Sequence, residues 1–118
     1  MRRALAILAA GAVGTLGLAA AGQASTPTLK GETGPGFDIE VTRGGKDVKT
    51  LRHGTYRLVV EDKASIHNFH LIGPGVNKKT GVGFKGKQTW TVRLKKGRYT
   101  YQCDPHASSG MKGSFRVT

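Results

Sequence analysis

The chain has 118 residues, with 19 Lys and Arg against 7 Asp and Glu, a formal net charge of +12 and one cysteine. That length accommodates one modest domain, and a lone cysteine excludes both an intrachain disulfide framework and a metal site built from thiolates alone. A hydrophobic fraction of 37% is low for a globular chain but does not describe a disordered one.

The chain opens on Met1-Arg2-Arg3, then an Ala-, Gly- and Leu-rich run to about Ala21, then the small residues Gly22 and Ala24. This pattern predicts an export signal over residues 1–24, cleaved after Ala24, with cleavage after Ala21 the nearby alternative. The run is weakly hydrophobic for a membrane span, and with no cysteine after it a lipid-anchored lipoprotein is excluded. The expected location is therefore the periplasm, the cell envelope or the exterior. Removing Arg2 and Arg3 leaves 17 basic and 7 acidic residues, a net charge of +10. A domain of this size with no disulfide gains much from a bound metal.

After the signal, residues 25–36 read as a loose leader and residues 37–118 as the folded domain. Short alternating runs punctuated by Gly, Pro, Asn and Asp predict strands rather than helices. Residues 37–41 alternate Phe37, Ile39 and Val41 with acids. Residues 55–61 place Tyr56, Leu58 and Val60 on one face. Residues 66–72 form a third run, stopped by Gly73-Pro74-Gly75. Residues 77–87, rich in Gly and Lys, read as a surface crossover. Residues 88–94 align Trp90, Val92 and Leu94, residues 98–103 follow a Lys95-Lys96-Gly97 turn, and residues 114–117 close the chain. About seven such strands make a single all-β sandwich.

Alternation puts Tyr99, Tyr101 and Cys103 on the inward face, because Arg98 on the other face cannot be buried. Cys103 thus ends a strand pointing inward, and the next eight residues return His106 and Met111. Thiolate, imidazole and thioether within one loop form a soft donor set of the kind that selects copper. A further donor is expected from Ser65-Ile66-His67-Asn68-Phe69-His70. On a strand, residues three apart face opposite ways; His67 shares the side of Phe69 and Leu71, so His67 is expected as the ligand and His70 as a bystander. His67, Cys103 and His106 with a weak axial Met111 compose a blue-copper set for one Cu(I)/Cu(II) ion.

These two motifs, His67-Asn68 and Cys103-Asp104-Pro105-His106 with Met111, resemble the cupredoxins. The loop length is similar to plastocyanin, and the His-Asn-Phe-His pair is similar to amicyanin, where the first histidine is the ligand. The resemblance spans residues 37–118 and implies a Greek-key sandwich that holds one copper near one end and shuttles single electrons between larger redox partners. It further implies that Asn68 braces the copper end and tunes the thiolate, and that Tyr99 is a tyrosine corner. Plant plastocyanins carry a tyrosine before the cysteine and an acidic docking patch; here Gln102 and a positive charge stand instead. Electrons are therefore expected to pass at the edge of His106, inside an apolar rim of Pro105, Ala107 and Pro74.

The charge favours redox partners with acidic surfaces, or peripheral contact with an anionic membrane. Nucleic acid is a poor partner for an exported chain without an aromatic stacking platform, and a monomer is expected. No nucleophile–base pair or paired carboxylates stand out, so an enzyme is not expected. Two rivals share the sequence: an envelope copper carrier or buffer using the same ligands, and an Ig-like structural module in which Cys103 is a buried thiol.

Overall fold

The computed structural model describes residues 25–118, so the expected export signal lies outside the described residues. Among the described residues, ten strands form two five-stranded sheets: β1 (Thr28–Thr33), β2 (Ile39–Arg43), β3 (Lys46–Asp47), β4 (Thr50–Leu51), β5 (Gly54–Asp62), β6 (His70–Gly73), β7 (Val76–Lys79), β8 (Gly86–Leu94), β9 (Gly97–Gln102) and β10 (Lys112–Val117). One sheet runs β3-β2-β1-β5-β8 and the other β4-β10-β9-β6-β7.

Period-two patterning builds the core as expected. β5 and β8 pair antiparallel with Leu58 opposite Trp90, and Tyr56, Leu58, Val60, Trp90, Val92 and Leu94 all point inward and are buried. From the facing sheet, Tyr99 stacks on Phe115 at 5.5 Å between ring centroids, and Tyr101 stacks on Phe69 at 6.1 Å. Burying an aromatic or aliphatic side chain of this kind contributes roughly 1.5–3 kcal/mol. The Tyr99 hydroxyl donates to Pro74 O at 2.6 Å and accepts from Lys95 N at 2.9 Å. It thereby locks two turns together in the manner of a tyrosine corner.

Four expectations are corrected. The segment expected as a loose leader carries β1, which pairs parallel with β5 and antiparallel with β2. Its inward residues are Leu29, Gly31 and Thr33, too little apolar side chain to read as a strand. Gly31 is required there because a Cβ would lie 2.7 Å from the Phe69 ring. The run at residues 66–72 is strand only from His70; residues 64–69 are turn and irregular chain. Their polar groups go to the neighbouring connection instead of a ladder: Phe69 N donates to Thr80 Oγ1 at 2.9 Å, and Thr80 N donates to Phe69 O at 3.0 Å. The expected crossover at residues 77–87 contains most of β7 and the start of β8. Phe37 lies outside β2 and is 69% exposed rather than buried.

Register places several loops together. Thr33 pairs with Ile39 and Asp62, Asp62 with Gly86, and His70 with both Lys79 and Gln102. The β1–β2, β5–β6, β7–β8 and β9–β10 connections therefore share one end of the sandwich.

Candidate metal centre

Cys103 follows β9 and is fully buried. The residues after it, Asp104–Ser109, form a 3-10 helix with Pro105 in its first turn, where a missing N–H costs nothing. Gly110 ends it at φ 98°, a left-handed conformation suited to glycine. Backbone bonds close this loop on itself: His106 N donates to Cys103 O at 3.0 Å, Met111 N to His106 O at 3.2 Å, and Cys103 N to Met111 O at 3.0 Å. His106 is thus turned back beside Cys103 with one edge toward solvent, and Met111 is buried.

His67 arrives from the irregular stretch before β6 and is fully buried, whereas His70 is only partly so. The two histidines diverge as expected, but through the turn at residues 64–67 rather than through strand alternation. His67 Nδ1 lies 3.1 Å from His106 Nδ1 and 3.6 Å from Cys103 Sγ, which is 3.3 Å from His106 Nδ1. Two imidazoles and a thiolate bound at about 2.0–2.3 Å in a trigonal plane would stand about 3.5–3.8 Å apart. The donor atoms stand about 0.1–0.4 Å inside those separations, and the soft set, with Cys103 and His67 buried and His106 partly so, fits a copper ion.

Asn68 and Asp104 hold the two halves of this centre together. Asp104 N donates to Asn68 Oδ1 at 2.7 Å, and Asn68 Nδ2 donates to Asp104 Oδ2 at 2.9 Å and to Thr80 O at 3.2 Å. Gln102 Nε2 and His70 Nδ1 each reach Asp104 Oδ1 at 2.9 Å, and His70 Nε2 lies 2.6 Å from Asn77 Oδ1. Burial alone would push the Asp104 carboxyl up. The hydrogen bonds from Gln102, His70 and Asn68 together outweigh it and hold the group at about 2. His70 is thus a strut of the loop carrying Cys103 rather than a bystander.

The rim differs from expectation at one residue. Pro74 packs against Gly97, where a Cβ would lie 2.9 Å from its Cγ. Gly97 begins the strand that Cys103 follows, so Pro74 sits about 20 Å from Cys103 at roughly 3.3 Å per residue. Phe37 occupies the expected place instead, edge-on to His106 at 4.8 Å and to His67 at 5.4 Å between centroids. The sequence holds two Gly-Pro-Gly triplets, at residues 34–36 and 73–75, and only topology reveals which one meets the site. Gly34 makes the approach close, since a Cβ there would stand 2.8 Å from His67 Cδ2. Pro105 is exposed and Ala107 half-buried beside His106 in the same helix.

Among solved structures, the chain is similar to a reduced rusticyanin, with 23% identity, 81% of each chain covered and a TM-score of 0.59. It is also similar to rusticyanin from Thiobacillus ferrooxidans, with 24% identity, 81% and 79% covered and a TM-score of 0.56. A dithionite-reduced auracyanin from Roseiflexus castenholzii matches at 21% identity, 81% and 99% covered and a TM-score of 0.56. These likenesses establish a cupredoxin-like sandwich. No curated protein matches the chain at a significant level. The family described as copper binding proteins, plastocyanin/azurin family, matches residues 34–118, which include every donor and brace described above. The chain belongs to the plastocyanin/azurin family of copper-binding proteins.

Proposed function

We propose that this protein is an exported, mononuclear type 1 copper protein that carries single electrons between larger redox partners and is not an enzyme. The convergence of His67 Nδ1, Cys103 Sγ and His106 Nδ1 at separations of 3.1–3.6 Å, with His67 and Cys103 fully buried, supports the reading most directly. Those three would hold the ion, with the buried Met111 that closes the same loop as a weaker fourth donor and a plastocyanin-like loop length between Cys103 and Met111. A copper ion held there supplies one-electron chemistry between Cu(I) and Cu(II). The chain's own part is rigidity: the Asn68–Asp104 clamp and the self-closed loop fix the donors whichever charge the centre carries.

His106 offers the short path to the surface, ringed by Phe37, Pro105 and Ala107. Among the described residues the exposed large hydrophobic side chains are Phe37, Ile66 and Val82, and all three lie in loops at this end. No Asp or Glu occurs between Lys63 and Cys103. The exposed Lys78, Lys79, Lys85 and Lys87 flank the Val82 loop, which suits a redox partner with acids around an apolar contact. A copper carrier, by contrast, needs ligands that a recipient can reach, whereas Cys103 and His67 are fully buried.

Visible and EPR spectra after one equivalent of Cu(II) test the centre. Intense orange-red absorption with narrow copper hyperfine splitting is expected; a pale spectrum with ordinary splitting would refute the thiolate ligand. Electron exchange with hexacyanoferrate tests the role, and should slow with rising salt and with Lys78→Glu and Lys85→Glu.

A further inference from the structure

Three buried side-chain atoms make no hydrogen bond among the described residues: Thr33 Oγ1, Asp62 Oδ2 and His67 Nε2. Their residues are 0%, 1% and 0% exposed, and buried polar atoms of native proteins nearly always have a partner. The three belong to different segments that meet at one place. Thr33 and Asp62 are register partners ending the parallel strands β1 and β5, so both side chains turn inward side by side, about 4.8 Å apart at the backbone. Gly34, next to Thr33, brings the chain against His67: a Cβ on it would lie 3.6 Å from His67 Nε2 and 3.5 Å from Ala64 Cβ. Ala64 N in turn donates to Asp62 Oδ1 at 3.1 Å, leaving Oδ2 free to face elsewhere.

We propose that Thr33 Oγ1, Asp62 Oδ2 and His67 Nε2 share one internal water molecule, through which Asp62 and Thr33 position the His67 ring. The inference rests on the proposed copper centre, because ligation through Nδ1 leaves the single proton of a neutral imidazole on Nε2. That N–H is then a buried donor in need of an acceptor. None of the three atoms bonds another directly, and one water with three polar partners matches the usual environment of a buried water. The water accepts from His67 Nε2–H and donates to Asp62 Oδ2 and Thr33 Oγ1, satisfying all three. The tautomer and tilt of the ring are thereby set from the side away from the metal.

The test uses the Cu(I)-loaded protein, which is diamagnetic, with long-range proton–nitrogen NMR of His67. A single Nε2–H resonance protected from solvent exchange is expected. Thr33→Val and Asp62→Asn should each speed that exchange at least tenfold and weaken Cu(I) binding by about 10–100-fold. Both should keep the thiolate absorption band when loaded with Cu(II). Unchanged exchange and affinity in both variants would overturn the proposal. If Asp62→Asn does not fold, Thr33→Val, which preserves shape, decides, together with a high-resolution crystal structure of the unaltered protein. Water within about 2.7–3.1 Å of all three atoms supports the assignment, and a dry or directly bonded arrangement refutes it. A thiolate band accompanied by a freely exchanging Nε2–H defeats the water bridge alone; absence of the band defeats the copper centre and the bridge together.

Discussion

Replacing Gly34 with alanine separates what the backbone tolerates from what the metal centre tolerates. Gly34 has φ +78°, and placing a non-glycine residue in left-handed geometry costs about 1–2 kcal/mol. The new Cβ would stand 2.8 Å from His67 Cδ2, whereas ordinary contact begins near 3.4 Å, so the ring must yield by about 0.6 Å or the loop must shift. Overpacking of this kind costs about 1–3 kcal/mol. The sum is roughly 2–5 kcal/mol, and at about 4–8 °C per kcal/mol for a domain this size the apo protein should lose at least about 8 °C in Tm. A ligand displaced by more than about 0.5 Å leaves its working geometry, so copper affinity should fall about 10–100-fold as well. Gly44→Ala is the control, with φ +58° and nothing within 4 Å of the added Cβ. It should lose about 1–2 kcal/mol from strain and keep its copper affinity. Calorimetry of the apo proteins and a competitive chelator titration read the two effects. If Gly34→Ala behaves like Gly44→Ala in both assays, the contact between residue 34 and the His67 ring has no mechanical consequence and the reasoning fails.

Tyr99→Phe removes the hydroxyl that joins Pro74 O and Lys95 N. It should destabilise the fold by about 1–3 kcal/mol in denaturant titrations while leaving the copper spectrum unaltered, because that turn lies at the far end of the sandwich. Asn68→Ala breaks the clamp on Asp104 and the bond to Thr80, and should both lower stability and shift the reduction potential measured by voltammetry. Asp104 sits at about 2, below the ordinary carboxylate value near 3.9. A group depressed in the folded state stabilises above its unfolded value and loses that contribution as pH falls through its folded one. The stability gap between the parent and Asp104→Asn should therefore persist at pH 5 and shrink between about pH 4 and 2 in acid-unfolding curves. A pH-independent gap would show that the Asp104 charge contributes nothing.

The copper-binding half of the molecule was the more legible because its chemistry is local. Cys103, His106 and Met111 fall within nine residues, and strand alternation from Tyr99 onward fixes the inward face before any tertiary contact is known. Strands such as β5 and β8 were legible for the same reason, their inward residues from Tyr56 to Val60 and from Trp90 to Leu94 being apolar. β1 was hidden because its inward positions include Gly31 and Thr33, whose fitness depends on the Phe69 ring and on a buried polar cluster. The position of His67 was anticipated by the wrong route: its segment is a turn whose hydrogen bonds run to Thr80 and Asp104, partners far away in sequence. Phe37 took the rim place expected for Pro74 for the plainest reason. Two identical triplets cannot be told apart until the strand order assigns each to an end.

The loop that carries Cys103 has a consequence for how such a centre changes over time. Gln102 and Lys112 are paired across β9 and β10, and the nine residues between them are held by bonds made largely among themselves. The loop joins the frame below at those two residues, and beyond them it meets the rest of the chain through Asp104, held by Asn68 and His70, and through His106, packed by Phe37 and His67. Residues of that closed segment outside these contacts and the buried Cys103 and Met111 can thus vary with little cost to the sandwich. Evolution, or a designer, can retune the centre by exchanging one short cassette while the scaffold that folds it stays the same.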